Sequence, residues 1–225
     1  MPLLITITHH SFCLLMTDNL QNDSLTDYVL IASMGNDELA AKLTEQLRSS
    51  VRRSFDLKRC GEMLEKLMDP WRCELLSRKK GAFEIVLTGF YSSGRTGEIT
   101  LRSSNAHINE LVYPLRGSNE YLFSFIPPDP SLFQAAELLL ELPDDDPTTL
   151  ENYVEHFVST VYPAIFTLFP AKVQRMGQLV ALEKSLSPKS KPLFHQLFLD
   201  ISETLASFPE REELKQLFFS SQRDK

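Results

Sequence analysis

No apolar stretch in this chain approaches the roughly 18 residues that a membrane span requires, and no basic, apolar, small-residue leader precedes its first strand pattern. Its three cysteines, Cys13, Cys60 and Cys73, are an odd number without paired spacing. That excludes a disulfide framework and a zinc site, and it fits a reducing compartment. Basic charge is also short: 23 Lys and Arg against 30 Asp and Glu leave a net charge of -7. Non-specific nucleic-acid binding needs clustered, uncountered cations, so it is not expected. The basic runs Arg52-Arg53 and Arg78-Lys79-Lys80 are brief and read as solvated surface or local partner contacts. There is no repeat at a period of roughly 20 to 50 residues. Asn22-Asp23-Ser24 fits a glycosylation pattern, which carries little weight without a secretory signal. These absences predict a soluble, intracellular protein.

What is present is enough for a real core. The chain has 225 residues, 43% of them hydrophobic and 24% charged, which suits one domain or one domain with an appendage. Leu3, Ile5 and Ile7 alternate with Leu4, Thr6 and Thr8; His9-His10-Ser11 interrupt, and Phe12-Cys13-Leu14-Leu15-Met16 resume before Thr17-Asp18. Period-two runs around a polar break predict a hairpin. Its second strand, apolar at every position, should be covered on both faces. The pattern starts directly after Met1, so the amino terminus is expected to be built into the sheet.

A polar connection is expected over 19–26, then a strand over Tyr28–Ser33. Asn36 or Asp37 should cap a helix with Leu39, Leu43, Leu47 and Val51 on its buried stripe. A second helix, from Ser54 or Asp56 to Met68, buries Leu57, Cys60, Leu64 and Leu67 and stops at Asp69-Pro70. Strands return over Phe83–Tyr91, Glu98–Arg102 and Ile108–Pro114, and Tyr121–Ile126 fits a strand or a short helix. Helical spacing marks Ser131–Leu142, an acidic loop follows through Asp144-Asp145-Asp146, and Thr148 or Thr149 caps a helix that bends at Pro163. A strand over Val173–Leu182 and helices over Pro192–Phe208 and Glu210–Phe219 complete the chain.

Helices gathered in runs, rather than alternating singly with strands, predict the α+β class. Two stacked antiparallel sheets flanked by helices, a four-layer αββα sandwich, would use every apolar stripe. The expected division is a sandwich domain over 1–183 and a helical C-terminal extension over 184–225 that docks on the domain or on a neighbouring subunit.

The chemistry-bearing residues form no catalytic, cofactor or metal constellation. Pro2 reads as the first residue of a strand, where no ladder donor is needed. Cys13 sits in an apolar run and reads as an inert thiol, and Asp18 as a strand-end residue bonding loop amides. His9 and His10, as neighbours in an extended run, should point to opposite faces and serve a polar turn. His107, His156 and His195 stand without a carboxylate at ligand spacing in the sequence. Ser93-Gly94-Arg95-Thr96-Gly97 lacks the Gly-Lys-Ser/Thr ending of a phosphate loop and reads as a hairpin turn. Asp144, Asp145 and Asp146 lack calcium-loop spacing.

The order of elements, with Leu3-Leu4-Ile5-Thr6-Ile7, Phe12 to Asp18, Ile31-Ala32-Ser33-Met34-Gly35 before a helix pair, and Leu87-Thr88-Gly89-Phe90 before a glycine turn, resembles the proteasome β-type subunits of the N-terminal nucleophile hydrolase superfamily. The start is most similar to the non-catalytic beta type-2 subunits. Active members of the family attack through an N-terminal threonine whose own amine is the base. Here Pro2 stands at that position without a hydroxyl, and no lysine lies between Asp18 and Gly35. The resemblance implies a non-catalytic structural subunit of the 20S core particle, without cofactor, in the cytoplasm and nucleus. Its implied partners are other β subunits on both sides, the α ring and the opposing β ring. The alternatives are an independent hydrolase using a processed N-terminus, and an adaptor or assembly factor that borrowed the fold.

Overall fold

Strand β2 (Phe12–Thr17) is buried at every residue, and the molecule is arranged around it. It pairs antiparallel with β1 (Leu4–Thr8) on one side, Leu4 opposite Thr17 and Thr8 opposite Cys13, and with β9 (Met176–Glu183) on the other. The outer strands β8 (Leu122–Ile126) and β10 (Leu193–Asp200) complete a five-stranded sheet in the order β10-β9-β2-β1-β8. The second sheet also has five strands, in chain order: β3 (Asp23–Thr26), β4 (Val29–Met34), β5 (Glu84–Phe90), β6 (Thr96–Arg102) and β7 (His107–Val112). All the pairings in both sheets are antiparallel. This computed structural model describes residues 4–17, 23–35, 38–77, 83–104, 106–113, 122–126, 130–132, 149–185, 187, 190–210 and 213–214.

Because successive side chains of a strand point to opposite faces, β2 feeds two cores at once. Phe12, Leu14 and Met16 pack with Tyr153 of α4 (Leu150–His156), with Phe157, and with Tyr162 and Ile165 of α5 (Tyr162–Leu168). Cys13 and Leu15 turn the other way, onto Leu30, Ala32, Val86 and Phe90 of the second sheet. That sheet's far face, including Ile31, Ile85, Leu87 and Ile99, is covered by α1 (Glu38–Ser50) and α2 (Leu57–Met68) through Leu43, Leu47, Leu57 and Leu64. Each large apolar side chain so buried contributes about 1.5 to 3 kcal/mol. The result is a mixed fold of two antiparallel sheets and a few helices, compatible with a sandwich.

Local signals account for most element ends. Asp56 caps α2 by accepting from the Arg59 amide at 3.1 Å, and Thr149 caps α4 by accepting from Asn152 at 3.2 Å. Pro163 has no amide to donate, and the helix ahead of it widens: Phe157–Val161 is a π-turn, with the Tyr162 amide bonded to the Phe157 carbonyl. The expected bend at Pro163 therefore takes the form of a widened turn.

Three expectations are corrected and one open alternative is decided. The polar connection over 19–26 contains a short edge strand, β3, at Asp23–Thr26. Asp69-Pro70 does not end the helical run, because Pro70 lies in the first turn of a 3-10 segment (Asp69–Trp71), where a missing amide costs nothing; α3 (Arg72–Ser77) follows. Tyr121–Ile126, open between strand and helix, is strand β8 from Leu122. Most consequentially, the helix expected over Pro192–Phe208 is strand β10 followed by a short α6 (Ser202–Ala206), so the segment after residue 183 is not a helical extension there. It forms the edge of the first sheet, with Leu193 opposite Glu183 and Asp200 opposite Met176. Residues Leu193/Leu197 and Phe194/Phe198 are four apart, a spacing that returns to the same face of a strand as well as of a helix. Pro2, Asp18, Asn36, Asp37, the acidic loop and most of the helices expected over 131–142 and 210–219 lie outside the described residues.

Gly89 of β5 is required by close approach. A Cβ there would stand 2.2 Å from the Tyr28 carbonyl oxygen and 2.9 Å from Val29 Cα, both backbone atoms. Gly89→Ala is expected to destabilise the protein by about 2 kcal/mol or more, read as a lowered urea midpoint; an unchanged midpoint would contradict this packing.

Candidate functional site

Residues with chemical potential distribute to three places: the β1–β2 turn, the layer between the sheets, and the outer edge at β10. In the turn, the His9 amide bonds the Phe12 carbonyl at 2.8 Å, and the Thr96 hydroxyl donates to the His9 carbonyl at 2.7 Å, fastening the turn to β6. The two histidines do not diverge as neighbours in a strand would. Their rings meet with centroids 4.0 Å apart, because residues 9 and 10 have left the extended conformation. His9 is buried against Phe12 and sits 2.8 Å from the Ser11 hydroxyl through Nδ1. Burial, reinforced by neighbouring His10, pulls its pKa from 6.5 down to about 4.

Cys13 lies wholly between the sheets, where burial pushes its thiol up to about 12 and keeps it protonated at neutral pH. The segment Ser93 to Gly97 joins β5 to β6 as a hairpin turn, with Gly94 at φ +77° and its amide bonded to the Tyr91 carbonyl. His195 has a carboxylate partner that sequence spacing concealed: strand pairing brings Glu183 Oε2 to 3.1 Å of its Nε2.

The inter-sheet layer holds a polar cluster that sequence reasoning missed. Thr96, Glu98 and Thr100 alternate with Ile99 and Leu101, so the polar side chains of β6 face inward, away from the helices. Glu98 is buried and accepts from Thr100 at 2.9 Å, from Ser124 of β8 at 3.2 Å, and from the Thr6 hydroxyl of β1. One carboxylate thereby ties the two sheets together through β1, β6 and β8. The visible signal was the polar alternation Thr96, Glu98, Thr100 within β6, whereas the other two partners, Thr6 and Ser124, lie on other strands.

The outer edge is the most unusual surface. Among the described residues β10 is bonded to β9 alone, yet Leu193, Phe194, Leu197 and Phe198 are 54%, 43%, 42% and 67% exposed. Leu193 and Leu197 lie on the helix-covered face and Phe194 and Phe198 on the face toward the second sheet, whose inter-sheet core stops at Val180 and Leu182 of β9. Leu199 and Ile201, with the partly buried Leu205, anchor the segment in the first core, while Lys191 bonds Asp27 at 2.6 Å. A ladder side unpaired among the described residues and flanked by apolar side chains is a surface soluble monomers ordinarily blunt with charge, proline or bulges.

Among the described residues no group of three or more His, Cys, Asp or Glu side chains could hold a metal ion, and no helix is long and apolar enough to cross a membrane. No protein-family model matches the chain, and no curated protein matches it by sequence.

Two outcomes follow from this geometry. The unfolded chain takes up a proton on residue 9 near pH 6.5 and the folded protein only near 4, so stability falls as pH drops through that window, by up to about 3 kcal/mol. Denaturation at pH 7 and 4.5 should show a smaller acid loss for His9→Asn than for wild type; equal losses would refute the assignment. Glu98→Ala, which strands three hydroxyls, should cost about 2 to 4 kcal/mol and Glu98→Gln less. A urea midpoint for Glu98→Ala indistinguishable from wild type would remove the cluster's structural role.

Proposed function

We propose that this chain is a non-catalytic, proteasome-like β-type subunit, whose work is to hold a position in a hetero-oligomeric ring rather than to cleave peptide bonds. The observation that carries the reading is the β10 edge, with a hydrogen-bonding ladder open among the described residues and four large apolar side chains exposed on its two faces. Burying such an edge against another chain supplies backbone hydrogen bonds and apolar area together.

Several features support the family within which this reading sits. Two antiparallel sheets meet through a shared core, with a helix pair after β4 and another helical run before β9 on their outer faces, as a four-layer αββα arrangement of the N-terminal nucleophile type requires. Met34-Gly35 leads toward α1, and Leu87-Thr88-Gly89-Phe90 lies in β5 ahead of the glycine turn. Pro2 offers no hydroxyl where an active subunit carries its threonine. In this proposal the partners are β subunits on either side, an α ring and an opposing β ring, in the cytoplasm and nucleus, and no cofactor is involved.

The test is incorporation. Because truncation after residue 187 would delete a strand of the first sheet, point changes are the cleaner probe. Phe194→Ser with Phe198→Ser should abolish entry into a ring-sized particle, measured by native mass, while shifting the melting temperature of the isolated chain by less than about 4 °C. Full incorporation of the double variant would reject β10 as the docking edge. A wild-type chain found only in small, substoichiometric complexes would reject the subunit reading in favour of an adaptor.

A further inference from the structure

The segment that leaves β9 passes over the tip of the β5–β6 hairpin and the start of α2, and between them lies a cleft of about 410 Å³. Volumes of this order hold small organic ligands. Tyr28, Phe90 and Tyr91 give it aromatic walls, and serines from both sides, including Ser54 and Ser187, add hydroxyls.

Its charge leans positive. Asp56 is the one carboxylate among the described lining residues, and both of its oxygens are occupied, one by the Arg59 amide at 3.1 Å and the other by the Ser92 amide at 2.8 Å. Burial opposes its ionisation, yet these bonds hold its carboxyl below the usual range. Two cations share the lining with it, Arg59 from α2, which attracts the Asp56 carboxylate and lies 5.8 Å from the centre of the Phe55 ring, and Lys184 from the end of β9; neither makes an ion pair within hydrogen-bonding reach among the described residues. The Lys184 ammonium stands 3.6 Å from where a Cβ on Gly94 would be, so the bare glycine turn leaves room for it at the rim. In a protein of net charge -7, two cations against one carboxylate among the described lining residues, set in an aromatic cleft, make a local site for an anion that carries a flat ring.

We propose that this cleft binds a small phosphate monoester bearing a flat ring, of the mononucleotide or aryl phosphate class, with Arg59 and Lys184 gripping the phosphate and Tyr28 and Tyr91 lining the ring. The site is separate from the exposed faces of β10 and does not depend on the subunit reading.

Calorimetric titration of the full chain with AMP, phenyl phosphate, adenosine and inorganic phosphate tests it. AMP or phenyl phosphate should bind saturably at one site per chain, with adenosine and inorganic phosphate each weaker by about tenfold or more. Lys184→Gln and Arg59→Gln, both at exposed positions, should each weaken binding about tenfold, Lys66→Gln should leave it unchanged, and added salt should weaken it. Absence of saturable binding to both phosphate esters, binding indifferent to both substitutions, or inorganic phosphate binding as tightly as AMP would each overturn the proposal.

Discussion

Burial of β2 on both faces is the constraint from which the rest of the architecture follows. A strand reading Phe-Cys-Leu-Leu-Met has no polar face to give to water, so it must lie inside a sheet that is itself inside the molecule. Its two neighbours, β1 and β9, supply the ladder, and its two faces demand a helical layer on one side and a second sheet on the other. Since isolated backbone amides are costly in such a setting, the order of the first sheet is fixed from its centre outward. What is left for the periphery is an edge strand, β10, held among the described residues by one ladder and by Leu199, Ile201 and Leu205.

The inter-sheet layer shows how apolar burial and polar registration divide the work. On the β9–β2 side the sheets meet through Cys13, Leu15, Val180 and Leu182, a contact without directional preference. Toward β1, β6 and β8 the same layer is polar, and Glu98 with its hydroxyl partners favours one alignment of the strands. Glu84, half-buried on the neighbouring strand, has its carboxyl pushed up by burial, drawn down by Arg102 at 3.5 Å and pushed up again by Glu98. Charge in this layer is therefore sparing and already engaged within the described residues.

Where local pattern and tertiary demand coincide, the sequence was readable. The opening hairpin, α1, α2 with its Asp56 cap, the β5–β6 hairpin and β9 all follow from periodicity and punctuation. The failures have physical causes. Spacing of four suits both a strand face and a helical turn, so β10 passed for a helix until pairing with β9 decided it. β3 is short, polar and at an edge, and lacks the apolar alternation that marks inner strands. Burial of Cys13 was legible because its whole run is apolar, whereas exposure of Phe194 and Phe198 depends on how far the opposite sheet reaches, which no local pattern encodes. The Thr6 and Ser124 partners of Glu98 were hidden for the same reason, as were the elements that wall the Arg59–Lys184 cleft.

We propose that the β10 edge is covered by another chain. Hydrogen exchange of the backbone amides over Leu193–Asp200, followed in the isolated protein and in its native assembly, tests it most directly. The account predicts that amides facing away from β9 exchange quickly in isolation and become strongly protected on assembly. Equal exchange of these amides in the two states would contradict it.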